Sequence, residues 1–139
     1  MCAINDPLEL VKIKSGKRTI TAYKIIRKNG RPFYRSSLQP YGPGLCRVPE
    51  MPNKYDVDPF SGNTRGIHAY LRKVDAKSEQ KRTHRPSRII KIKIKPEHVV
   101  VLENAYCNPR QIVASQIEIT QKDWNEAGFP HRVTKQRLI

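Results

Sequence analysis

Ile90, Ile92 and Ile94 alternate with Lys91, Lys93 and Lys95, and a strict period of two is the signature of a strand with one dry face. Slipping its pairing by one residue would bury three ammonium groups and expose three isoleucines, so the segment specifies its own orientation. The chain therefore holds a sheet with an apolar side. Its lysine row must face water or an anionic partner.

Other segments extend the same picture. Residues 8–14 and Thr19 to Arg27 read as strands. Asn29-Gly30 follows the second and suits a tight hairpin turn, which makes Phe33 to Ser37 the expected return strand. Pro32 lacks an N–H, so that return strand is expected at an edge. From Gln39 to Gly66, five prolines and four glycines fall within 28 residues. That density predicts a long ordered loop packed on the body through its scattered apolar residues. Residues 66–71 read as a short buried strand, Val74 to Arg82 as a short helix, and Val99 to Leu102 as an apolar segment set off by Pro96. Ile112 to Ile119 reads as one strand, with Val113, Ile117 and Ile119 on one side and Gln116 and Glu118 on the other. Thr120 is a helix cap for a two-turn helix carrying Trp124, stopped by Gly128 and Pro130.

These elements predict an α+β fold, mainly antiparallel sheet with two short helices and a long Pro/Gly-rich loop. One compact basic domain is expected over residues 1–130, with a basic tail over 131–139. Of 139 residues, 33 are Leu, Ile, Val or Phe, enough for a modest core.

Charge departs furthest from the ordinary. The chain carries 27 Lys and Arg against 12 Asp and Glu, a net +15, and self-repulsion of that size is relieved by a polyanion. Between Leu10 and Pro49 there are ten basic residues and no acid. The lysines of the alternating strand stand roughly 6.6 Å apart, two strand rises, comparable with successive phosphates along one nucleic-acid strand. The expected phosphate contacts are Lys12, Lys14, Lys17, Arg18, Lys24, Arg27, Lys28, Arg31, Arg35, Lys91, Lys93 and Lys95. Phe33, Tyr34 and Tyr41 are candidates for stacking on bases. Two plainer accounts compete: lysines that guard an exposed sheet edge against pairing, and aromatic residues that serve as cross-strand or core packing. The edge account covers one strand and leaves the acid-free stretch unexplained.

Metal and nucleophile chemistry find little support. Cys2, Cys46 and Cys107 fit neither a disulfide framework nor a paired zinc motif, and no two potential ligands share a helical spacing with His68, His84, His98 or His131. Asp56-Val57-Asp58 fails as a calcium loop because Phe60 stands where an oxygen ligand is needed. Gly42-Pro43-Gly44 lacks the ending of a phosphate-cradling loop and reads as a turn. No apolar run is long enough for a membrane span, and no secretory signal is evident. The expectation is an intracellular protein of the cytoplasm or nucleus of the host cell, without membrane or metal.

Gly66-Ile67-His68-Ala69-Tyr70, the stretch Ile89 to Lys95 running into Pro96-Glu97-His98-Val99-Val100, and Ile112-Val113-Ala114-Ser115 resemble small domains encoded by phages and large DNA viruses. The resemblance covers residues 20–30 and 66–119 and implies a virus-related α+β protein, bringing no activity with it. The order of strands also resembles the ADP-ribosyltransferase fold. There a Gln-x-Glu pair places the catalytic carboxylate, a form shared by Gln116-Ile117-Glu118. That resemblance implies NAD as cofactor and Tyr23 with His68 or Tyr70 as ribose contacts. The sequence departs from it in lacking a His-x-x-Thr opening motif and in the short loop before Gln116, and any amphipathic strand yields polar-x-polar spacing. Three functions therefore stand open: nucleic-acid or polyanion binding without sequence readout, ADP-ribosyl transfer, and a virion or host-factor interaction protein that meets an acidic protein surface.

Overall fold

The alternating isoleucines fold as expected, in a strand whose apolar row is sealed. In the computed structural model, Ile90, Ile92 and Ile94 are fully buried while Lys91 and Lys95 are exposed and Lys93 is half-buried. The structure describes residues 3–5, 16, 18–30, 41–47, 66–83, 86–105 and 111–129, with the side chains of 3–5 and 103–105 left aside. Among them, eight strands form one antiparallel sheet: β1 (Ala3–Asn5), β2 (Ile20–Arg27), β3 (Gly44–Arg47), β4 (Ile67–Tyr70), β5 (Ser87–Ile94), β6 (Val99–Ala105), β7 (Gln111–Ala114) and β8 (Gln116–Ile119). Two α-helices, α1 (Lys73–Arg82) and α2 (Gln121–Glu126), complete the α+β fold. A short 3-10 turn, Pro96–His98, ends β5's run into β6, with Pro96 at its first position, where the missing N–H has no helical acceptor to lose.

The strands lie in the order β1-β6-β7-β4-β2-β5-β8-β3, and that order forces the sheet to curl. β7 and β8 are four strand steps apart, about 19 Å on a flat sheet, yet only Ser115 separates them in the chain, and two residues reach at most about 7 Å. The sheet must bend round so that Ala114 and Gln116 meet at a corner, as strands do when they switch layers. Ladders are thin where it bends: β2 meets β4 at Tyr23↔Tyr70 and β5 meets β8 at Lys93↔Glu118. At the corner the Ser115 N–H donates to the His98 carbonyl at 2.8 Å, and its hydroxyl donates to the same oxygen at 3.3 Å.

The corner corrects the expectation of one strand over 112–119. Ser115 resets the alternation, so Ile112, Ala114, Ile117 and Ile119 all enter the main core, whereas Val113 packs on the other side with Val100 and Val101. A bulge at Val100 does the same for β6, letting Val99 and Leu102 both face inward. β2 pairs with β5 over its whole length and with β4 at Tyr23↔Tyr70. The expected return strand at 33–37, like the expected strand at 8–14 and the tail at 131–139, lies outside the described residues. The turn that follows β2 is closed by Gly30, which donates its N–H to the Arg27 carbonyl at 2.8 Å. Its φ of 84° is one that glycine adopts without strain. Part of the Pro/Gly-rich stretch is regular after all, since Gly44–Arg47 pairs with β8 as β3.

Helix α2 caps the main core as its sequence predicts. The Asp123 N–H donates to Thr120 Oγ1 at 3.1 Å, and the Thr120 hydroxyl donates to Asp123 Oδ2 at 2.9 Å. Trp124 is buried and stacks on Phe129 with ring centroids 4.2 Å apart. Replacing Thr120 by Ala removes both bonds and is expected to cost about 1 kcal/mol of stability in urea denaturation, with no change in slope. At Gly128, φ is 91° and an added Cβ would meet Arg88 Nη1; that guanidinium donates to the Ala127 carbonyl at 3.4 Å and lies over the Phe129 ring.

Candidate nucleic-acid interface

Strand pairing sorts side chains by face, so the register alone builds the outer surface. Tyr70, Tyr23 and Lys91 stand opposite one another across β4, β2 and β5. One row along come Thr21, Lys93, Glu118 and Leu45, across β2, β5, β8 and β3. Gln116 and Arg47 face each other beyond them. Helix α1 covers one end of this face: its buried Ala76 packs on Ile25, with Tyr23, Tyr70 and Ile89 partly buried around it. The other end, with Thr21, Lys91, Lys95, Arg47 and Glu118 exposed, lies beyond the helix.

The lysine row is therefore on the exterior of a strand flanked on both sides, by β2 and β8. Edge protection needs an edge, and β5 is not one. Among the described residues, none of the three lysines is held in an ion pair; the acids of α1 are engaged by arginines, Arg72 Nε to Asp75 at 2.9 Å and Arg82 to Glu79 at 3.4 Å. Glu118, opposite Lys93, is the acid of this face among the described residues.

Other expected contacts separate. Arg18 is exposed just before the Ile20↔Ile94 end of the ladder, near Lys95, whereas Arg27 is half-buried and Lys28 exposed at the far end, about 23 Å away by strand rise. Lys12, Lys14, Lys17, Arg31, Arg35, Phe33 and Tyr34 lie outside the described residues.

Lys24 and Tyr41 correct the list, because both are interior. Lys24 shares the inward side of β2 with Ala22 and Ile26, only 9% exposed. Its Nζ donates to the His68 carbonyl at 2.8 Å and sits 5.3 Å from the centroid of the Tyr41 ring. Burial lowers its pKa from 10.5 to about 8, since an ammonium loses its hydration there. Cys46 lies close by, its thiol donating to the Gly42 carbonyl at 3.5 Å and pushed up by burial to about 11; burial also raises the Tyr41 phenol. This cluster belongs to the core, and neither Lys24 nor Tyr41 can touch a ligand on the outer face.

The residues of the ADP-ribosyltransferase resemblance share the outer face by register. Tyr23 and Tyr70 are neighbours, His68 is half-buried on β4, and Gln116 and Glu118 lie two strands away from Tyr23. Ideal spacings put Glu118 about 12 Å from Tyr23, with Lys93 beside the line between them.

Two cationic features escaped the sequence reading. Arg47 joins the outer face through β3. Lys73, Lys77 and Lys81, all exposed, repeat at i, i+4 and i+8 and so form one stripe along α1, while Asp75 and Glu79 fall on its opposite flank. That spacing was present in the sequence, hidden in a run of mixed charge.

A curled antiparallel sheet with two helices defines an α+β protein, and one face of the sheet carries exposed cationic side chains. Searches against protein-family models, curated proteins and solved structures find no match. Among the described residues, no three His, Cys, Asp or Glu side chains gather to hold a metal, and no helix is long and apolar enough to cross a membrane.

Proposed function

We propose that this protein binds nucleic acid through the open end of its outer sheet face, positioning phosphates without reading sequence. The observation that carries the reading is the row Lys91, Lys93, Lys95, outward on an interior strand and, among the described residues, in no ion pair. Lysine ammonium groups spaced by strand rises supply point charges to phosphates. The three lysines are single point donors and carry no paired donor and acceptor of the kind that reads a base edge. Such a partner offsets the net +15 of the chain, and the resemblance to phage- and virus-encoded domains is consistent with an intracellular role beside a viral or host nucleic acid.

Glu118 separates this reading from ADP-ribosyl transfer in one substitution. Glu118→Gln removes the acid opposite Lys93 and is expected to tighten binding of an oligonucleotide roughly 2- to 5-fold, measured by fluorescence anisotropy. If Glu118 instead supplies a catalytic carboxylate, the same change abolishes dinucleotide turnover and leaves oligonucleotide affinity where it was. The ultraviolet absorbance ratio of the purified protein before and after nuclease treatment identifies the partner class. A ratio that falls on treatment supports nucleic acid, and a stoichiometric complex with an acidic protein that survives nuclease contradicts it.

A further inference from the structure

We propose that the outer face takes its nucleic acid single-stranded, with a base stacked on the Tyr23 ring while the backbone follows Lys91, Lys93 and Lys95. This rests on the polyanion reading above and adds a second, uncharged contact to it. Among the described Phe, Tyr and Trp side chains, Tyr23 and Tyr70 are the ones that are not buried; Tyr41, Trp124 and Phe129 are all in the core. Both unburied rings fall on the cationic face, directly opposite each other, and Tyr23 is also directly opposite Lys91.

The distances suit one nucleotide. Adjacent strands lie about 4.8 Å apart, so a phosphate over β5 leaves its base over β2, where Tyr23 stands. Tyr23 is half-buried because part of it packs in the cluster of Ile25, Ala76 and Ile89. That packing holds the ring in place, so little side-chain entropy is lost when a base lands on it. A duplex keeps its base faces in its own stack and offers the ring nothing, whereas an unpaired strand presents them.

The test uses the full chain and three probes of equal length: an oligodeoxythymidylate, an abasic strand with the same phosphates, and a duplex. The thymidylate strand is expected to bind roughly 5- to 100-fold more tightly than the abasic strand. Tyr23→Leu, which keeps the apolar packing, is expected to erase that difference while leaving the salt dependence unchanged, and Tyr23→Phe is expected to retain it. If the leucine variant fails to fold, the comparison of probes on the unsubstituted protein and on Tyr23→Phe still decides. Equal affinity for the thymidylate and abasic strands, or a preference for the duplex, overturns the stacking proposal and leaves phosphate binding standing. Binding to none of the three overturns both.

Discussion

Raising the pH from 7 to 9 is expected to stabilise the fold against urea through Lys24, and Lys24→Met is expected to abolish that gain. The folded-state pKa of Lys24, about 8, lies below its ordinary 10.5. Below pH 8 both folded and unfolded chains hold the proton, and the fold bears the whole cost of a buried ammonium. Between pH 8 and 10.5 the fold has released it while the unfolded chain has not, so stability rises with pH. The increment is on the order of 1 kcal/mol by pH 9 and grows further towards pH 10.5. Cys46 works in the opposite sense. Its folded pKa, about 11, lies above its ordinary 9.0, so its contribution is lost as the unfolded thiol ionises, an effect smaller than that of Lys24 at pH 9. A rise in stability between pH 7 and 9 that is present in the parent and absent in Lys24→Met identifies Lys24. At pH 7 the methionine variant is expected to be at least as stable as the parent, because a well-packed apolar side chain replaces a desolvated charge. A variant that is several kcal/mol less stable at pH 7 would show the amine and its bond to the His68 carbonyl to be worth more than their desolvation.

The inward placement of Lys24 shows where reading the sequence stops. Period two puts it on the same side as Ala22 and Ile26, but a lysine in a basic run invites the reading of a surface contact. What keeps it there is remote in the chain: the carbonyl of His68 and the ring of Tyr41. Features with local causes were legible, notably the isoleucine alternation of β5, the Pro96 break and the Thr120 cap, since each depends on neighbours within four residues. Features set by distant pairing were not. β2 announces itself by its β-branched residues, but not its partners, β4 and β5, which are remote in the chain. The bend at Ser115 left a trace, because Ile112 and Ile117 cannot share a face of one unbroken strand. The same limit applies to the interface. The lysine row was readable from its own period, while its company of Tyr23, Arg47 and Glu118 depends on the register of four strands.

Replacing Lys91, Lys93 and Lys95 together by Gln is expected to weaken binding to a single-stranded oligonucleotide by 10-fold or more, on the order of the counterion-release contribution of three phosphate contacts at low salt. The substitution leaves the buried isoleucine row intact and relieves repulsion on one face, so stability is expected to change by less than about 0.5 kcal/mol. Lys73, Lys77 and Lys81 provide the control, since changing them to Gln removes the same charge from helix α1 and leaves the sheet lysines in place. A loss confined to the β5 set assigns binding to the sheet face; equal losses from both sets assign it to net charge alone.

The most direct test is the slope of log affinity against log salt concentration for the parent and the β5 triple variant. Three lysines on three phosphates of a single strand predict a parent slope shallower by about 2 once they are removed. An unchanged slope, or a parent whose binding does not respond to salt, would contradict the assignment of this face to phosphates.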